Sequence, residues 1–436
     1  MENKSVLKSY LSYYVVTLVA MVVDYIGGFI DNVVGGRLLG EEAFSALSAA
    51  IPISLLFSMM GNCLLGGSIL ASHELGAGNT ENARGYYKKT LLLTFLVSLI
   101  LTALVTSFSD GICRLLCRNS SEAVIQYGRN YLIWFGPTAI PILLIFVLSG
   151  FARLDNAKTV PLISTIVVTL SDIALDVILT PAWGIRGLAA ATTISYLLGL
   201  MAFLLYFVRK DRIFRLSADT GDKISTGHML ITGAPVAMNR LGHFINSAFL
   251  NYFAFTMASV AGGIVVNVRS QCMNISLAVI AGAIQAGVPS LGQYYGEQNT
   301  DCIKEISKLM VLSALIHTAI LSCVCIFCRH LLPAVFGVEG GSMAADASAS
   351  ALACLGADLI LKSVITAAMI ICQVTDREKL SNVIAALETV FLVIPLELAF
   401  GMELGINGLW IGAMVSDMIL VIIICCLYYR QRKGNK

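Results

Sequence analysis

Charged residues are scarce in this chain of 436 residues. Asp, Glu, Lys and Arg make up 13% of it, against about 25% in an ordinary soluble protein. Hydrophobic residues make up 57% and the mean hydropathy is +0.82, so the polar side chains are too few to cover soluble domains. The net charge is only +2, which argues against a nucleic-acid-binding surface. We therefore expect a membrane protein without a nucleic-acid partner.

Motifs for metal binding and catalysis are also missing. The twelve Cys form no pair of CxxC motifs, and the five His lack an HxxxH or HExxH context. The spacing of the Cys and His residues therefore predicts no metal site, cofactor or catalytic residues, so an enzyme is not expected. Cys113 and Cys117 lie in a predicted external loop, and whether they pair is left open.

Long apolar runs are what the sequence has instead. A helix that crosses a membrane needs about 20 mainly apolar residues, and this criterion predicts an all-α integral membrane protein with twelve transmembrane helices. The predicted segments are 10–36, 43–71, 90–109, 124–150, 160–181, 186–208, 228–257, 262–289, 309–328, 346–372, 381–400 and 406–429.

The distribution of Lys and Arg predicts the orientation in the membrane. One set of alternating loops and termini carries twenty of these residues and the other set carries five. Because basic residues accumulate on the cytoplasmic side, we expect a multi-pass protein of the cell membrane with both termini in the cytoplasm.

An internal repeat divides the chain. The stretch LGAGNTENARGYYKK from Leu75 recurs as YGEQNTDCIKEISKL from Tyr295, and GIRGLAAATTIS from Gly184 recurs as GINGLWIGAMVS from Gly405. Each copy spans six predicted helices, so the copies share an orientation. We predict six-helix bundles at 1–208 and 228–436, a cytoplasmic linker at 209–227, a pseudo-two-fold axis along the membrane normal and a central cavity. This design is typical of transporters.

Four carboxylates lie inside predicted membrane segments of the first half. Asp24 and Asp31 are in the first segment, and Asp172 and Asp176 are in the fifth. Ionisable residues at such positions cost free energy and indicate function. Asp172 and Asp176 are four residues apart and share a helix face. If the first and fifth helices pack together, the acids share a pocket that must take up a proton or a cation. A structural or helix-end role remains the competing interpretation, most of all for Asp24.

The second half carries buried charges of both signs. Arg269 and Lys362 are expected to pair with Glu388 or Asp358, with substrate contact or gating as the alternative. The role of Arg240 is open. Glu397 lies eight residues before Gly405, as Asp176 lies eight before Gly184, and an interfacial position is an equal alternative for it. The candidates for lining a substrate cavity are Asp24, Asn246, Arg269, Lys362 and Glu388.

Three stretches in order resemble the multidrug and toxic compound extrusion (MATE) family. They are DNVVGGRLLGEEAFSALSAAIP (31–52), ASHELGAGNTENAR (71–84) and SGFARLDNAKTVPLISTIVVTLSDIALDVILTPAWGIRGLAAAT (149–192). The likeness extends over nearly the whole chain. It favours the DinF-like branch of the family over the NorM-like branch.

The resemblance implies a secondary antiporter that exports organic cations or amphipathic compounds, driven by inward H⁺ or Na⁺ through alternating access. Carried over by position, it implies that Asp31, Asp176, Thr192 and Tyr131 belong to the coupling-ion site. Asp172 departs from the family, which commonly has Asn there, and the extra carboxylate favours H⁺. Lys362 also departs, at about the position where the branch with a second-half Na⁺ site has an acid. We therefore place the coupling site in the first half.

Two alternatives stay open. A flippase for lipids or lipid-linked oligosaccharides would need a basic cavity, to which Arg240, Arg269 and Lys362 point. An intramembrane aspartyl protease also uses paired membrane Asp residues, but no GxGD motif follows one here. The expected partners are small amphipathic or cationic substrates and membrane lipid, and the chain is expected to act as a monomer without a cofactor.

Overall fold

The computed structural model describes residues 2–157, 159–209, 212–214, 225–375 and 377–434. Over these ranges the chain forms helices and short connections, with no strand. Helices satisfy every backbone polar group internally, which a hydrocarbon environment requires. Most of the predicted linker 209–227 and several of the basic residues counted for the orientation lie outside the described residues, as does the side chain of Asp24.

Eleven helical stretches of the described chain are long and apolar enough to cross a membrane. One of them, Arg240–Gly296, has 57 residues and includes all of the predicted segment 262–289 and the part of 228–257 from residue 240 onward. Its backbone is non-helical at Ser259, with φ 49° and ψ −130°, so a division at this residue separates the two. The all-α membrane fold predicted from the sequence is confirmed.

The chain divides into two compact units. One unit, here called the N-terminal unit, is Val34–Ala248; the other, here called the C-terminal unit, combines Met1–Val33 with Phe249–Lys436. The bundles predicted from the repeat, 1–208 and 228–436, stay a prediction. The first helix, α1 (Glu2–Leu39), contributes residues to both units.

The N-terminal unit is built from nine further helices and a short 3₁₀ turn at Gly136–Thr138. Its helices are α2 (Glu41–Leu47), α3 (Ala50–Leu64), α4 (Gly66–Gly76), α5 (Thr80–Ser107), α6 (Ser109–Leu116), α7 (Glu122–Phe135), α8 (Ala139–Leu154), α9 (Thr159–Trp183) and α10 (Ile185–Phe207).

The C-terminal unit takes most of the remaining helices and one π-helical turn at Leu387–Phe391. The remaining helices are α11 (Thr226–Gln285), whose first part to Ala248 belongs to the N-terminal unit, α12 (Val288–Gly296), α13 (Thr300–Phe327), α14 (Leu332–Val335), α15 (Met343–Val374), α16 (Glu378–Ala386), α17 (Val393–Leu404) and α18 (Ile406–Gly434).

A one-residue turn joins two helices in the same way in each unit. Gly184 connects α9 to α10 with φ 60° and ψ −141°, and Gly405 connects α17 to α18 with φ 63° and ψ −147°. Positive φ favours glycine. Three residues later, a Cβ on Gly187 would clash with the Leu179 carbonyl oxygen, and one on Gly408 would clash with that of Phe400. The repeated sequence therefore forms a repeated, closely packed helical hairpin.

Candidate functional site

A stripe of buried polar side chains runs along α9. Its members recur every three to five residues, so they lie on one helix face. They are Ser164, Thr169, Asp172, Asp176 and Thr180. Asp172 is 4% exposed and Asp176 is 0% exposed, which places both carboxylates inside the N-terminal unit.

Helix α10 presents hydroxyl groups and a glycine to this stripe. Ser164 Oγ donates a hydrogen bond of 2.9 Å to the Gly199 carbonyl oxygen. Ser195 Oγ donates to Asp172 Oδ1 at 2.9 Å and also lies 2.8 Å from the Thr192 carbonyl oxygen. The Gly184 turn brings the two helices close enough for these bonds. The hydroxyl of Ser195 then holds the Asp172 carboxylate in place.

The carboxylates of Asp172 and Asp176 are close together. An oxygen of one lies within 4.8 Å of an oxygen of the other. Two full charges at this separation repel by about 3 kcal/mol at an effective dielectric constant of about 20. Such a pair lowers this repulsion by binding a proton or a cation. Carboxylate and hydroxyl oxygens, the ligands found here, are suited to either.

The other predicted coupling residues are placed as follows. Thr192 is buried on α10, one helical turn before Tyr196 and beside Ser195. Tyr131 is buried on α7, where its ring stacks on Phe135 at 5.3 Å. Asp31 is buried on α1 among residues assigned to the C-terminal unit.

The predicted cavity residues fall into two groups. Asn246 is half-buried on α11 in the N-terminal unit, and the side chain of Asp24 lies outside the described residues. Arg269, Lys362 and Glu388 lie together in the C-terminal unit, where they take part in ion pairs. Their contact with substrate stays a prediction.

Lys362 is the centre of this group. Its Nζ lies 2.7 Å from Asp417 Oδ2 and 3.4 Å from Glu388 Oε1. The lysine comes from α15, Glu388 from the π-helical turn and Asp417 from α18, so the cation connects three elements. The expected pair of Lys362 with Glu388 is confirmed.

Arg269 forms the second part of the group. Its Nη2 lies 3.8 Å from Asp358 Oδ2, and its guanidinium sits over the Trp410 ring at 4.9 Å from the centroid. The expected pairing of Arg269 with Asp358 is confirmed. Two residues before Arg269 on the same helix, Asn267 Nδ2 donates a hydrogen bond of 2.8 Å to Asn32 Oδ1.

Sequence reasoning missed Asp417 and Trp410. Asp417 stands inside the apolar run MVSDMIL, and an ionisable residue in such a run is itself a functional signal. Trp410 follows Gly405 in the repeated segment and is 1% exposed. Glu397 is also buried, at 1% exposure on α17, and its position relative to the membrane interface stays a prediction.

The two cysteines of the predicted external loop are free thiols. Both are buried against the N-terminal unit around α6. Burial, with a smaller contribution from Asp110, raises the pKa of Cys113 to about 12. The thiols therefore behave as small packing groups.

Comparisons with known proteins agree with this architecture. The MatE family model matches residues 17–178. The probable multidrug resistance protein YoeA of Bacillus subtilis is 26% identical over 76% of this chain and 74% of its own length. The multidrug export protein MepA of Staphylococcus saprophyticus is 22% identical over 99% of this chain and 95% of its own length.

A solved structure has the same fold. It is an inward-facing multidrug resistance MATE family transporter of the MOP superfamily, with a TM-score of 0.85 and 19% identity, covering 96% of this chain and 98% of its own. The fold and the relatives define a multi-pass membrane transporter rather than an enzyme. These matches agree with the resemblance to the MATE family that the sequence indicates. Whether the chain is closer to the DinF-like or the NorM-like branch stays a prediction.

Proposed function

We propose that this protein exports cationic and amphipathic drug-like compounds in exchange for ions that flow inward. Two relatives that match most of the chain are described as multidrug resistance or export proteins. The chain's buried carboxylates suit positively charged cargo. Arg269 and Lys362 are paired with acids, so they do not supply the open phosphate-binding surface that the flippase alternative needs.

One observation carries the coupling mechanism. Asp172 and Asp176 are buried and have carboxylate oxygens within 4.8 Å of each other. Their mutual repulsion favours uptake of a proton or a cation. We assign H⁺ as the coupling ion because the extra carboxylate at position 172 increases proton affinity, and Na⁺ is the competing ion that the experiment distinguishes.

The proposal includes three further residues, because the family resemblance assigns the same role to Asp31, Tyr131 and Thr192. Within the N-terminal unit, a Cβ on Gly35 would lie 2.7 Å from Leu47 and 3.1 Å from Leu188, so the end of α1 packs on α2 and α10.

The proposed cycle couples two binding equilibria. An ion from outside neutralises the acids, which removes their attraction for a cationic substrate and promotes its release. Return of the ion to the cytoplasm restores the negative charge and the affinity for the next substrate. Such coupling is reciprocal, since the substrate must weaken ion binding as much as the ion weakens substrate binding. One charge that moves down 100 mV supplies about 2.3 kcal/mol.

The proposal is tested by dye efflux from proteoliposomes that contain the purified protein. Asp176→Asn should abolish efflux of a cationic dye driven by a pH gradient, because the amide cannot exchange a proton. Asp301→Asn is the matched control, since Asp301 is exposed at the start of α13. A Na⁺ gradient at constant pH should drive no efflux if H⁺ is the coupling ion.

Two results would contradict it. Undiminished efflux by Asp176→Asn, at equal protein incorporation, would remove the acid pair from the mechanism. Efflux by the wild type that follows only a Na⁺ gradient would replace H⁺ with Na⁺ at the same residues.

A further inference from the structure

We propose that the C-terminal unit contains a second proton-binding site, in which one proton is shared between the side chains of Asp358 and Asp417. The site is separate from the acid pair of the N-terminal unit. Proton binding rests on the local geometry alone, whereas its use in transport rests on the proposed antiport.

The first argument is the charge balance of the ion-pair cluster. The cluster contains two bases, Arg269 and Lys362, and three acids, Asp358, Glu388 and Asp417. Full ionisation therefore leaves one negative charge. The side chains of Asp358 and Asp417 are each 1% exposed, and that of Lys362 is 14% exposed. An uncompensated charge at this depth is costly, and uptake of one proton removes it.

The second argument is the distribution of hydrogen-bond donors. Lys362 directs its ammonium to Asp417 and Glu388. Arg269 stays 3.8 Å from Asp358, which is too far for a hydrogen bond, and sits over Trp410. Among the described residues, no donor hydrogen-bonds to either carboxylate oxygen of Asp358.

The third argument identifies the position of the proton. Asp358 lies one helical turn before Lys362 on the same face of α15, and the Lys362 ammonium contacts Asp417 of α18 at 2.7 Å, so the two carboxylates lie on the same side of α15. Two ionised carboxylates have no hydrogen to share, since both only accept. A proton on either one supplies the missing donor. It satisfies Asp358 and neutralises the excess charge in the same step.

The charged groups around the pair come from α11, α15 and the π-helical turn. Helix α13 presents Ser322 and Ile326 to α15 near Gly356, and both are uncharged. The titratable and charged groups that face the pair are Arg269 of α11, Cys354 and Lys362 of α15 and Glu388 of the π-helical turn. Short π-helical turns inside α-helices are frequent at functional sites.

The charge balance also indicates what can replace the proton. Loss of the proton returns the cluster to one net negative charge. A cation that arrives at the same time keeps the net charge unchanged. The site is therefore suited to exchange a proton for a positively charged substrate, which would add a second proton to each transport cycle.

Infrared difference spectroscopy between acidic and alkaline pH tests proton binding on the purified protein. The wild type should show a C=O stretching band of a protonated buried carboxyl group. Asp358→Asn and Asp417→Asn should each remove the part of this band that belongs to their pair, whereas the part that belongs to Asp172 and Asp176 should persist. Asp346→Asn is the matched control, because Asp346 lies on the same helix α15 but is exposed, and it should keep the band.

Folding does not obscure the result. The amide of Asp358→Asn can donate to Asp417 as the protonated acid would, so this variant should give a monodisperse gel-filtration peak. Asp417→Asn provides an independent second variant. A band that is unchanged in both variants, or absent from the wild type, would overturn the proposal.

The outcomes separate this site from the antiport site. Asp176→Asn should retain the band of the Asp358–Asp417 pair while it loses efflux. If it loses neither, the proposed function fails and the proton site stands. If Asp358→Asn keeps the band while Asp176→Asn loses efflux, the proton site fails and the proposed function stands.

Discussion

The two units use the same helical hairpin and place different chemistry on it. In the N-terminal unit, the hydroxyl of Ser195 on α10 hydrogen-bonds to Asp172 on α9. In the C-terminal unit, Asp417 on α18 pairs instead with Lys362. Ser195 and Ser416 are related by the repeat offset of 221 residues, and Asp417 follows immediately. The repeat has therefore preserved the backbone more strictly than the polar side chains.

The two units therefore compensate buried negative charge in different ways. In the N-terminal unit, repulsion between Asp172 and Asp176 favours an ion that arrives from outside. In the C-terminal unit, Arg269 and Lys362 already neutralise most of the negative charge. The first arrangement is suited to bind and release a coupling ion, whereas the second holds α15, α18 and the π-helical turn together and keeps one excess negative charge, at which we propose that a proton binds.

The largest effect is expected from the removal of Lys362. Lys362→Met leaves the three acids of the ion-pair cluster with Arg269 as their one basic partner. Breaking a buried ion pair in this way typically destabilises a protein by about 3–5 kcal/mol. We expect a markedly lower midpoint of thermal unfolding in detergent, measured by the loss of monodisperse protein.

Two further variants sharpen this prediction. Lys362→Arg keeps the positive charge and should lose much less stability. Lys362→Met combined with Asp417→Asn removes one charge of each sign and should recover part of the loss. An unfolding midpoint of Lys362→Met equal to that of the wild type would show that the cluster does not hold the C-terminal unit together.

Much of the fold follows from the sequence because its physical causes are local. Apolar runs of the required length predict the membrane helices, and the spacing of Asp172 and Asp176 predicts their common face. The gap between the predicted segments 228–257 and 262–289 contains Ser259, where the backbone is non-helical, although the sequence does not specify its φ and ψ. The conformation there depends on packing that the hydropathy pattern does not contain.

The pairing of the buried charges could be predicted only in part. Arg269 and Lys362 required acidic partners, so their pairs with Asp358 and Glu388 were predictable. Asp417 was not, because the choice among several acids depends on how α15, α18 and the π-helical turn approach each other. Burial alone does not identify the partner among residues that are far apart in the sequence.

An effect of intermediate size is expected from glycine substitutions in the helical hairpin that the two units share. Gly187→Ala and Gly408→Ala each place a Cβ against a carbonyl oxygen of the adjoining helix, that of Leu179 or Phe400. The helices must separate, and overpacking of this kind costs about 1–3 kcal/mol. We expect similar decreases in thermal stability for the two variants, since the hairpins are alike. Gly76→Ala is the control, because nothing lies within 4 Å of its Cβ position. A large decrease in only one unit would show that the hairpins are not equivalent.

The smallest effect is expected at an exposed ion-pair cluster of the N-terminal unit. Arg114 lies 2.9 Å from Asp110 and 2.7 Å from Glu122. Hydrogen bonds to Glu122 and then Asp110 raise the pKa of Arg114 above its ordinary value, so the arginine stays charged at every pH used for handling the protein. Exposed pairs are weakened by water and salt, in contrast to the buried pair of Lys362 and Asp417. Arg114→Gln should leave the unfolding midpoint unchanged within error, at low and at high salt. A decrease comparable to that of Lys362→Met would contradict the view that burial, rather than the number of ion pairs, determines their contribution here.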